Sequence, residues 1–322
     1  MINNSFFSTE ILRWFRENGR ELPWRETRDP YAIWLSEIIL QQTRIAQGWE
    51  YWERFMQTYP QVEDLAAASE DDVLKLWQGL GYYSRARNLH AAARQIVALG
   101  EFPNTLDGIK SLKGVGDYTA AAIGSFAFNL PAAVVDGNVY RVLSRYFGID
   151  TPINSTQGKK EFAALAQSLL PASEAAAYNQ GMMDFGAIQC TPQSPKCLLC
   201  PLAETCEALR NGRVEELPVK NKTVKVKTRH LSYVYIRYKA PALESQAEAE
   251  NHTEAESWIA IHRRGEGDIW QGLWEPYNIS DMKELPSFVK DPILLAKDVK
   301  HVLTHRILLA DFYLLEVEEP MS

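Results

Sequence analysis

The spacing of hydrophobic residues along the chain changes near residue 215. Before it, apolar residues recur at helical spacing in short stretches such as RARNLHAAARQIVAL and KKEFAALAQSLL. After Pro218, the stretches TVKVKTRHLSYVYIRY, SWIAIHRR and ADFYLLEVE alternate apolar and polar residues with a period of two. The pattern predicts short helices followed by a smaller, strand-rich domain.

Several residues have the chemistry of helix ends. Asp29 precedes Pro30, which is typical of an N-cap followed by the first helical residue. We expect Gly48 to end that helix and Gly100 to end a later one, because glycine accepts the left-handed conformation that often follows a helix. Further N-caps are expected at Ser69, Ser84 and Thr105.

The composition is that of a globular protein with two domains. Of the 322 residues, 46% are hydrophobic and 23% are charged. We expect a helical region over residues 1–215, a linker over 216–229 and a second domain over 230–322. The N-terminal stretch lacks the apolar core of a signal peptide, which predicts a cytoplasmic protein. The formal net charge of −7 gives no overall basic field, so any binding to nucleic acid would depend on local contacts.

All four cysteines of the chain fall in one segment, CTPQSPKCLLCPLAETC, residues 190–206. Clustered thiols in a cytoplasmic protein favour a metal site over disulfides. Their spacing, C-x6-C-x2-C-x5-C, contains one close pair, whereas structural zinc sites usually use two such pairs. The uneven spacing favours an iron–sulfur cluster, with zinc as the alternative.

Two glycines mark a candidate anion-binding turn in LKGVGDYTAAAIGSFAF, residues 112–128. Gly114 and Gly116 lie between an upstream helix and an Ala-rich helix, so backbone N–H groups there can approach an anion at a helix N-terminus. An ordinary turn between two helices has the same pattern. The glycines alone do not decide between the two interpretations.

Two carboxylates have unusual surroundings in the sequence. In DPYAIWLSEIILQQTRI, Glu37 has Trp34 and Leu40 as helical neighbours, and burial on this apolar face would raise the pKa of its carboxyl. Such a group is suited to donate a proton near neutral pH, although a surface glutamate at the edge of the apolar stripe fits the same pattern. Asp136, in AVVDGNVYRVLSRYFG, is either the N-cap of the next helix or a functional carboxylate.

Taken together, these segments resemble the adenine DNA glycosylases of the helix–hairpin–helix superfamily. The resemblance is carried, in chain order, by DPYAIWLSEIILQQTR, WQGLGYYSRARNL, LKGVGDYTAAAI, VVDGNVYRVL and the cysteine spacing. It implies a mainly α-helical catalytic region with a helix–hairpin–helix over about residues 105–128, followed by a smaller α+β Nudix-like domain. It also implies a [4Fe-4S] cluster bound by Cys190, Cys197, Cys200 and Cys206.

The activity that the resemblance implies is base-excision repair. In this family, adenine mispaired with 8-oxoguanine is flipped out of double-stranded DNA and its N-glycosidic bond is hydrolysed. Glu37 matches the general acid that protonates N7 of adenine, and Asp136 matches the carboxylate that stabilises the oxocarbenium ion of the sugar. Tyr118 and Asn138 match polar residues near the sugar and the water.

The resemblance further implies contacts with DNA on both sides of the mispair. The matching residues are Gln42, Thr43, Leu80 and Tyr82 as wedges, Gly114, Gly116 and Lys196 at the backbone, Trp24 and Arg25 near the adenine pocket, and Leu303, Thr304 and His305 at 8-oxoguanine. The last three stand where the family often has Phe-Ser-His, so Leu303 replaces an aromatic residue. We also expect Arg44, Arg85 and Arg87 to contact DNA.

Three other functions have to be distinguished from this one. A bifunctional endonuclease III-type glycosylase shares the fold and the cluster, but such enzymes carry a Schiff-base lysine where this chain has Tyr118. A non-catalytic zinc protein that binds DNA, or an electron-transfer protein, would have no use for Glu37 in an apolar helix. We therefore expect a monofunctional hydrolase that acts as a monomer on A:8-oxoG or A:G mismatches at the bacterial nucleoid.

Overall fold

The computed structural model describes residues 4–221, 226–239, 257–280, 282, 289–303 and 306–319. The chain forms two compact units, residues 1–221 and 222–322. Residues 217–221 belong to the first unit, because their backbone carbonyls accept hydrogen bonds from it. Arg145 donates to the carbonyl of Leu217 at 3.1 Å, and the Ile153 amide donates to that of Val219 at 3.0 Å.

The first unit is built from α-helices. Their bounds are α1 Asn4–Asn18, α2 Pro30–Ile39, α3 Ile45–Thr58, α4 Val62–Ala67, α5 Glu70–Leu76, α6 Ser84–Leu99, α7 Leu106–Lys110, α8 Asp117–Phe128, α9 Gly137–Phe147, α10 Thr156–Leu169, α11 Ala175–Asp184 and α12 Glu207–Arg210. α11 continues as a π-helical turn, Phe185–Gln189, that leads directly into the cysteine segment. None of the described helices is long and apolar enough to span a bilayer.

Most of the expected helix ends are confirmed. The Asp29 carboxylate accepts a hydrogen bond from the Tyr31 amide at 3.0 Å, and α2 begins at Pro30. Ser69 and Thr105 cap α5 and α7 through their hydroxyls. Gly100 ends α6 at a φ of 81°, which a residue with a side chain rarely adopts.

Two expected helix ends were wrong. α2 ends at Ile39, and Gly48 lies inside α3, where a Cβ atom would come within 2.5 Å of Cδ2 of Leu40. This glycine therefore serves close packing between the end of α2 and α3. Ser84 is the first residue of α6 rather than its N-cap. The N-cap position is occupied by Tyr83, whose backbone is already α-helical.

The apolar faces of the helices form the core that positions the site. One buried cluster joins α1, α9, α10 and α11, with the Phe7 and Tyr146 rings 4.6 Å apart. A second joins α2 to α8 through Ile33, Ala122 and Phe126. The contact between α2 and α8 brings the middle of α2 beside the first turn of α8.

The second unit contains a mixed β-sheet, as the alternating pattern predicts. Its strands are β1 Lys227–Lys239, β2 Ser257–Ile259, β3 Ile261–Arg263, β4 Trp274–Asn278, β5 Ile293–Val302 and β6 Arg306–Val317. Their order is β3-β4-β1-β6-β5, with β2 also paired to β1. β1 and β6 run parallel, with Leu231 opposite Ala310, and the other pairs are antiparallel.

Candidate active site and DNA-contact surface

Glu37 lies on the buried face of α2. Its side chain is 7% exposed, and Oε2 accepts a hydrogen bond from the Tyr118 hydroxyl at 3.2 Å. Burial raises the pKa of Glu37 to about 7, although the Tyr118 hydrogen bond and the positive charge of Arg25 act in the opposite direction. A carboxyl with this pKa carries a transferable proton near neutral pH, as a general acid requires.

Asp136 is the N-cap of α9 and also faces the same cavity as Glu37. Its Oδ1 accepts from the backbone amides of Asn138 and Val139, both at 2.8 Å, and its Oδ2 accepts from Nδ2 of Asn138 at 2.8 Å. Burial raises the pKa of Asp136, and these hydrogen bonds oppose the rise. The structural and functional interpretations of this residue are therefore compatible.

One cavity of about 460 Å³ brings the four expected catalytic residues together. It is lined by Glu37, Tyr118, Asp136, Asn138, Gln42, Thr43, Arg20, Leu40, Gln41, Ile45, Val135, Met183 and Ala187. Its volume lies in the range of small-molecule sites, and a few polar groups converge on it among apolar side chains. The arrangement presents two carboxyl groups to a ligand of small-molecule size.

Arg20 and Asp184 are site residues that the sequence did not reveal. Asp184 is fully buried and accepts from Nε of Arg20 at 2.8 Å and from Nη1 of Arg25 at 2.8 Å. Although burial alone would raise the pKa of Asp184, the hydrogen bonds from Arg25 and Arg20 lower it. Arg20 lines the cavity, so the ion pair forms part of its wall. The signal for Asp184 in the sequence was that it is the one acidic residue in the stretch GMMDFGAIQ.

Trp24 and Arg25 lie behind the cavity rather than among its lining residues. The Trp24 ring is buried edge-on against Trp49 and Trp52, with ring centroids 5.9 and 5.7 Å away. Arg25 contacts the cavity wall through Asp184 and through the carbonyl of Arg20, to which its Nη1 donates at 3.0 Å. Their positions are those of supporting residues.

The expected wedge residues lie on two loops with strained backbone. Gln42 has a φ of 59° and Tyr82 a φ of 47°, which is unusual for residues with side chains. Gln42 and Thr43 line the cavity, and Tyr82 is 45% exposed. Leu80 is buried in the protein. The exposure of Tyr82 and the position of Gln42 and Thr43 in the cavity lining are consistent with a contact surface, whereas Leu80 is not exposed.

The two hairpin glycines have different structural roles. Gly114 has a φ of 79°, and a Cβ atom there would lie 2.6 Å from Cβ of Asn88 on α6. Gly116 is the N-cap of α8 in an extended conformation, and a Cβ atom there would meet nothing within 4 Å. The space in front of Gly116 and the N-terminus of α8 forms a cradle in which an anion can approach backbone amides.

The cysteine segment wraps around the end of α9. The four thiols are free and partly buried. Nη1 of Arg145 lies 3.5 Å from Sγ of Cys190 and donates to the carbonyl of Thr191 at 2.7 Å. Burial, with a smaller contribution from the neighbouring cysteines, raises the pKa of the Cys200 thiol to about 12, so the thiolates would need a bound cation. The donor set therefore fits an iron–sulfur cluster, although among the described residues no group of three or more His, Cys, Asp or Glu is arranged to hold a single metal ion.

Lys196 lies on the exposed side of the same segment. Its backbone is fixed by two hydrogen bonds with Gln189, from the Lys196 amide at 3.1 Å and from Nε2 of Gln189 at 2.7 Å. The side chain is exposed. The family resemblance predicts that it contacts DNA.

Arg141 connects the cysteine segment to the cavity. Its Nη2 donates to Oδ1 of Asn138 at 2.8 Å, and its Nε donates to the carbonyl of Cys190 at 2.8 Å. Asn138 in turn donates to Asp136, so its amide is oriented from both sides. A Cβ atom at Gly186 would lie 2.6 Å from Cβ of Asn138, so only glycine lets the π-helical turn approach this closely.

Comparisons with known proteins agree with this geometry. Residues 35–171 match the HhH-GPD superfamily of base excision DNA repair proteins, and residues 190–206 match the iron–sulfur binding domain of endonuclease III. An adenine DNA glycosylase from Buchnera aphidicola is 36% identical over 255 residues, which cover 78% of this chain and 71% of the relative. The chain belongs to the adenine DNA glycosylase family. Because this alignment is longer than the helical unit, the family resemblance continues into the second unit.

Two solved structures share the fold of the helical unit of this adenine DNA glycosylase family member. A thermostable thymine-DNA glycosylase has a TM-score of 0.60 and 34% identity, and covers 65% of this chain and 97% of its own. A trapped covalent intermediate of endonuclease III with DNA has a TM-score of 0.57 and 25% identity, covering 66% of this chain and 99% of its own. The expected helix–hairpin–helix glycosylase fold is confirmed, and with it the [4Fe-4S] cluster in place of zinc.

The residues expected to read 8-oxoguanine are only partly described. Leu303 is partly buried against a cluster in the sheet that includes Trp270 and Leu308, and its amide donates to the carbonyl of Arg306 at 2.8 Å. Thr304 and His305 lie outside the described residues. In this adenine DNA glycosylase family member the segment therefore connects the paired strands β5 and β6.

Proposed function

We propose that this protein is a monofunctional adenine DNA glycosylase that removes adenine mispaired with 8-oxoguanine or guanine. The observation that carries the proposal is the pair of carboxyls, Glu37 and Asp136, on one cavity with Tyr118 and no lysine among its lining residues. The adenine DNA glycosylase relatives support adenine as the base. We infer further that the protein acts as a monomer and that its second unit is Nudix-like.

The first step of the proposed reaction makes adenine a better leaving group. Cleavage of the bond between N9 and C1′ leaves its electron pair on the base, and a proton at N7 neutralises that charge. Glu37 supplies the proton, because its pKa of about 7 keeps a large fraction protonated at neutral pH. The hydroxyl of Tyr118 holds Oε2 of Glu37 in position and stabilises the carboxylate that remains.

The second step resolves the positive charge on the sugar. Loss of the base leaves an oxocarbenium ion, which a nearby carboxylate stabilises. Asp136 takes this role, held at both oxygens by the hydrogen bonds of Asn138 and Val139. Because Asn138 is fixed by Arg141, the carboxylate does not have to reorganise as charge develops. Water then adds to C1′ and transfers a proton to the Glu37 carboxylate that the first step produced, which restores the acid.

Access to the glycosidic bond requires that adenine leave the duplex. Flipping costs a few kcal/mol and is easiest for a mispaired base. Gln42 and Thr43 line the cavity and Tyr82 lies on the second strained loop, and we infer that these side chains enter the space that the base vacates. The cradle at Gly116 and the exposed Lys196 would hold the DNA backbone, and the cluster would keep the cysteine segment folded around it.

Release of the base under single-turnover conditions tests the proposal. Purified protein is incubated with duplexes containing A:8-oxoG, A:G, T:G or A:T, and abasic sites are revealed by hot alkali. We expect release from the first two only. Release of thymine from T:G would instead favour the activity named for the thymine-DNA glycosylase structure.

Strand cleavage separates the proposal from a bifunctional enzyme. Tyr118 stands where the endonuclease III-type enzymes carry a Schiff-base lysine, so the product strand should stay intact until alkali is added. Borohydride should trap no covalent adduct. Efficient trapping with the wild-type protein would overturn the monofunctional assignment.

A further inference from the structure

Two separate segments carry the residues that are expected to enter the duplex, and the first of them lines the cavity. We name residues 40–43, which follow α2, the first wedge segment, and residues 80–82, which precede α6, the second wedge segment. Each contains a strained residue with a side chain, Gln42 at a φ of 59° and Tyr82 at a φ of 47°. Strain of this kind persists only where the surrounding structure enforces it.

The guanidinium of Arg85 lies between the two wedge segments and binds both through main-chain carbonyls. Nη1 donates to the carbonyls of Ile38 at 3.1 Å and Ile39 at 3.3 Å at the end of α2, and also to that of Gln41 in the first wedge segment. Nη2 donates to the carbonyls of Leu80 at 3.2 Å and Gly81 at 3.4 Å in the second wedge segment. Arg85 was expected to contact DNA, but its Nη1 and Nη2 donate to main-chain carbonyls and its Nε is buried without a hydrogen-bond partner among the described residues.

The chemistry of these acceptors explains why an arginine stands at this position. The carbonyls at the end of α2 have no partners within the helix and carry the negative end of its dipole, so a cation with several donors satisfies them. The Arg85 guanidinium also packs 5.1 Å from the Trp77 ring and 5.7 Å from the Tyr82 ring. Trp77 itself donates from Nε1 to the carbonyl of Gly81 at 2.9 Å, which secures the second wedge segment from the other side.

We propose that Arg85 is a positioning residue that fixes the spacing of the two wedge segments, so that base extrusion depends on it. This inference rests on the proposed function, because it assumes that the two segments enter the duplex. The two terminal nitrogens of a guanidinium point in different directions, and here each serves one segment. A lysine has one terminal nitrogen and cannot bind both segments in the same way. Arg85 thus acts through the wedges and not on the glycosidic bond.

The test compares Arg85→Lys with Arg94→Lys, which lies on the same helix and donates from Nε to one backbone carbonyl, that of Ala66, at 3.2 Å. Adenine release is measured under single-turnover conditions from an A:G duplex and from a duplex with adenine opposite an abasic site, where the target base has no pairing partner. We expect Arg85→Lys to slow release from A:G by roughly 10- to 100-fold, the loss expected when a reacting group is misplaced by about an ångström. On the second duplex we expect the loss to be within about threefold, because extrusion is then easier.

A direct measurement of extrusion accompanies the rates. With 2-aminopurine placed beside the target adenine, its fluorescence should rise on mixing with wild-type protein or Arg94→Lys, and should rise more slowly with Arg85→Lys. Equal losses on both duplexes together with an unchanged fluorescence rise would overturn the inference. Because each preparation is compared across two duplexes, a smaller folded fraction lowers both rates equally and leaves their ratio unchanged. If wild-type protein releases no adenine from either duplex, the proposed function fails instead.

A double-mutant cycle keeps the inference testable even if Arg85→Lys does not fold. Gln42→Ala and Tyr82→Ala each alter one wedge segment while Arg85 stays in place. If Arg85 links the segments, the combined loss in the rate of extrusion differs from the product of the single losses. Independent effects of the two substitutions would overturn the link.

Discussion

Glu37 and Asp136 differ in how the protein binds their carboxyl groups. Burial raises the pKa of both, but hydrogen bonds oppose the rise to different degrees. Glu37 receives one side-chain hydrogen bond, from Tyr118, whereas Asp136 is held by Asn138 and Val139 through both oxygens. This difference suits Glu37 to donate a proton and Asp136 to face a cation.

Replacing Glu37 by glutamine tests the proton donor. The amide keeps the size of the side chain but cannot protonate adenine, so we expect mismatch binding to persist while base release falls by at least roughly 10²–10⁴-fold. Single-turnover release and equilibrium binding on A:8-oxoG measure the two effects. Glu17→Gln, on the exposed face of α1, is the matched control. Near-normal turnover by Glu37→Gln would remove Glu37 from the mechanism.

The Tyr118 hydroxyl should set the pH range of the reaction. Its hydrogen bond favours the Glu37 carboxylate, so Tyr118→Phe should raise the pKa of Glu37 above its value of about 7. Because the reactive form is the protonated acid, activity is present below this pKa and is lost as the pH rises through it. We therefore expect the alkaline limb of the single-turnover rate to move to higher pH in Tyr118→Phe.

The control for this pH profile is Tyr140→Phe. Tyr140 lies on α9, its ring packs edge-on against Phe162, and it is not among the residues that line the cavity with Glu37. Its profile should match the wild type. A limb that moves to lower pH in Tyr118→Phe, or does not move, would contradict the proposed role of the hydroxyl.

At the scale of elements, α9 combines the chemistry of the site with the support of the cluster. Asp136 caps its first turn, and Arg141 and Arg145 follow at one-turn intervals on the face that meets the cysteine segment. α6 plays a comparable part for the DNA contacts that we propose. Arg85 near its start holds the wedge segments, and Gln95 near its end accepts from the Lys113 amide of the hairpin at 2.7 Å.

The hairpin glycines should respond differently to the same substitution. Gly116→Ala has an ordinary backbone conformation and open space for its methyl group, so the protein should remain as stable as the wild type. The methyl group would nevertheless block a phosphate from the backbone amides. We expect weaker DNA binding and a salt dependence reduced by about one ion contact, measured by binding at several salt concentrations.

Gly114→Ala is the contrasting variant for this prediction. Its positive φ and the short approach to Asn88 make alanine unfavourable, and we expect a loss of at least about 1–2 kcal/mol in the free energy of unfolding. Thermal unfolding followed by circular dichroism measures the difference. If Gly116→Ala binds DNA like the wild type, the cradle is not a phosphate site.

At the scale of the whole molecule, the base removal and the lesion recognition that we propose belong to separate units. The carboxyls and the cavity lie entirely within residues 1–221, whereas the segment after β5 belongs to the second unit. We therefore expect substitutions in the second unit to change the choice of lesion without altering the residues that we propose to break the bond.

The double variant Thr304→Ala/His305→Ala tests this division. A hydroxyl or an imidazole can recognise N7–H or the C8 carbonyl of 8-oxoguanine, and one such contact contributes about 1–3 kcal/mol. We expect the preference for A:8-oxoG over A:G to fall by roughly 10- to 100-fold in single-turnover assays at fixed salt. Lys297→Ala, on the exposed part of β5, serves as the control. Equal losses on both mispairs would assign lesion recognition to the helical unit.

The sequence by itself determined the features that depend on neighbouring residues. Hydrophobic periodicity predicted the helices and the strands, and the Asp29-Pro30 pair predicted the start of α2. The cysteine spacing favoured an iron–sulfur cluster over zinc. These signals are local because a cap, a strand face or a metal-binding loop is built from residues a few positions apart. The resemblance of five short segments then supplied the family and the candidate roles.

Only the tertiary structure decided which distant groups meet. Asp184 is 164 positions from Arg20 yet binds it in the cavity wall, and Arg85 binds carbonyls 44 to 47 positions away. Gly48 packs against Leu40 instead of ending a helix. From the sequence alone, a basic or acidic residue that faces solvent cannot be distinguished from one that pairs with a buried partner. The packing of α2, α6, α8 and α9 determines which of these occurs, because burial makes an unpaired charge costly and a paired one stable.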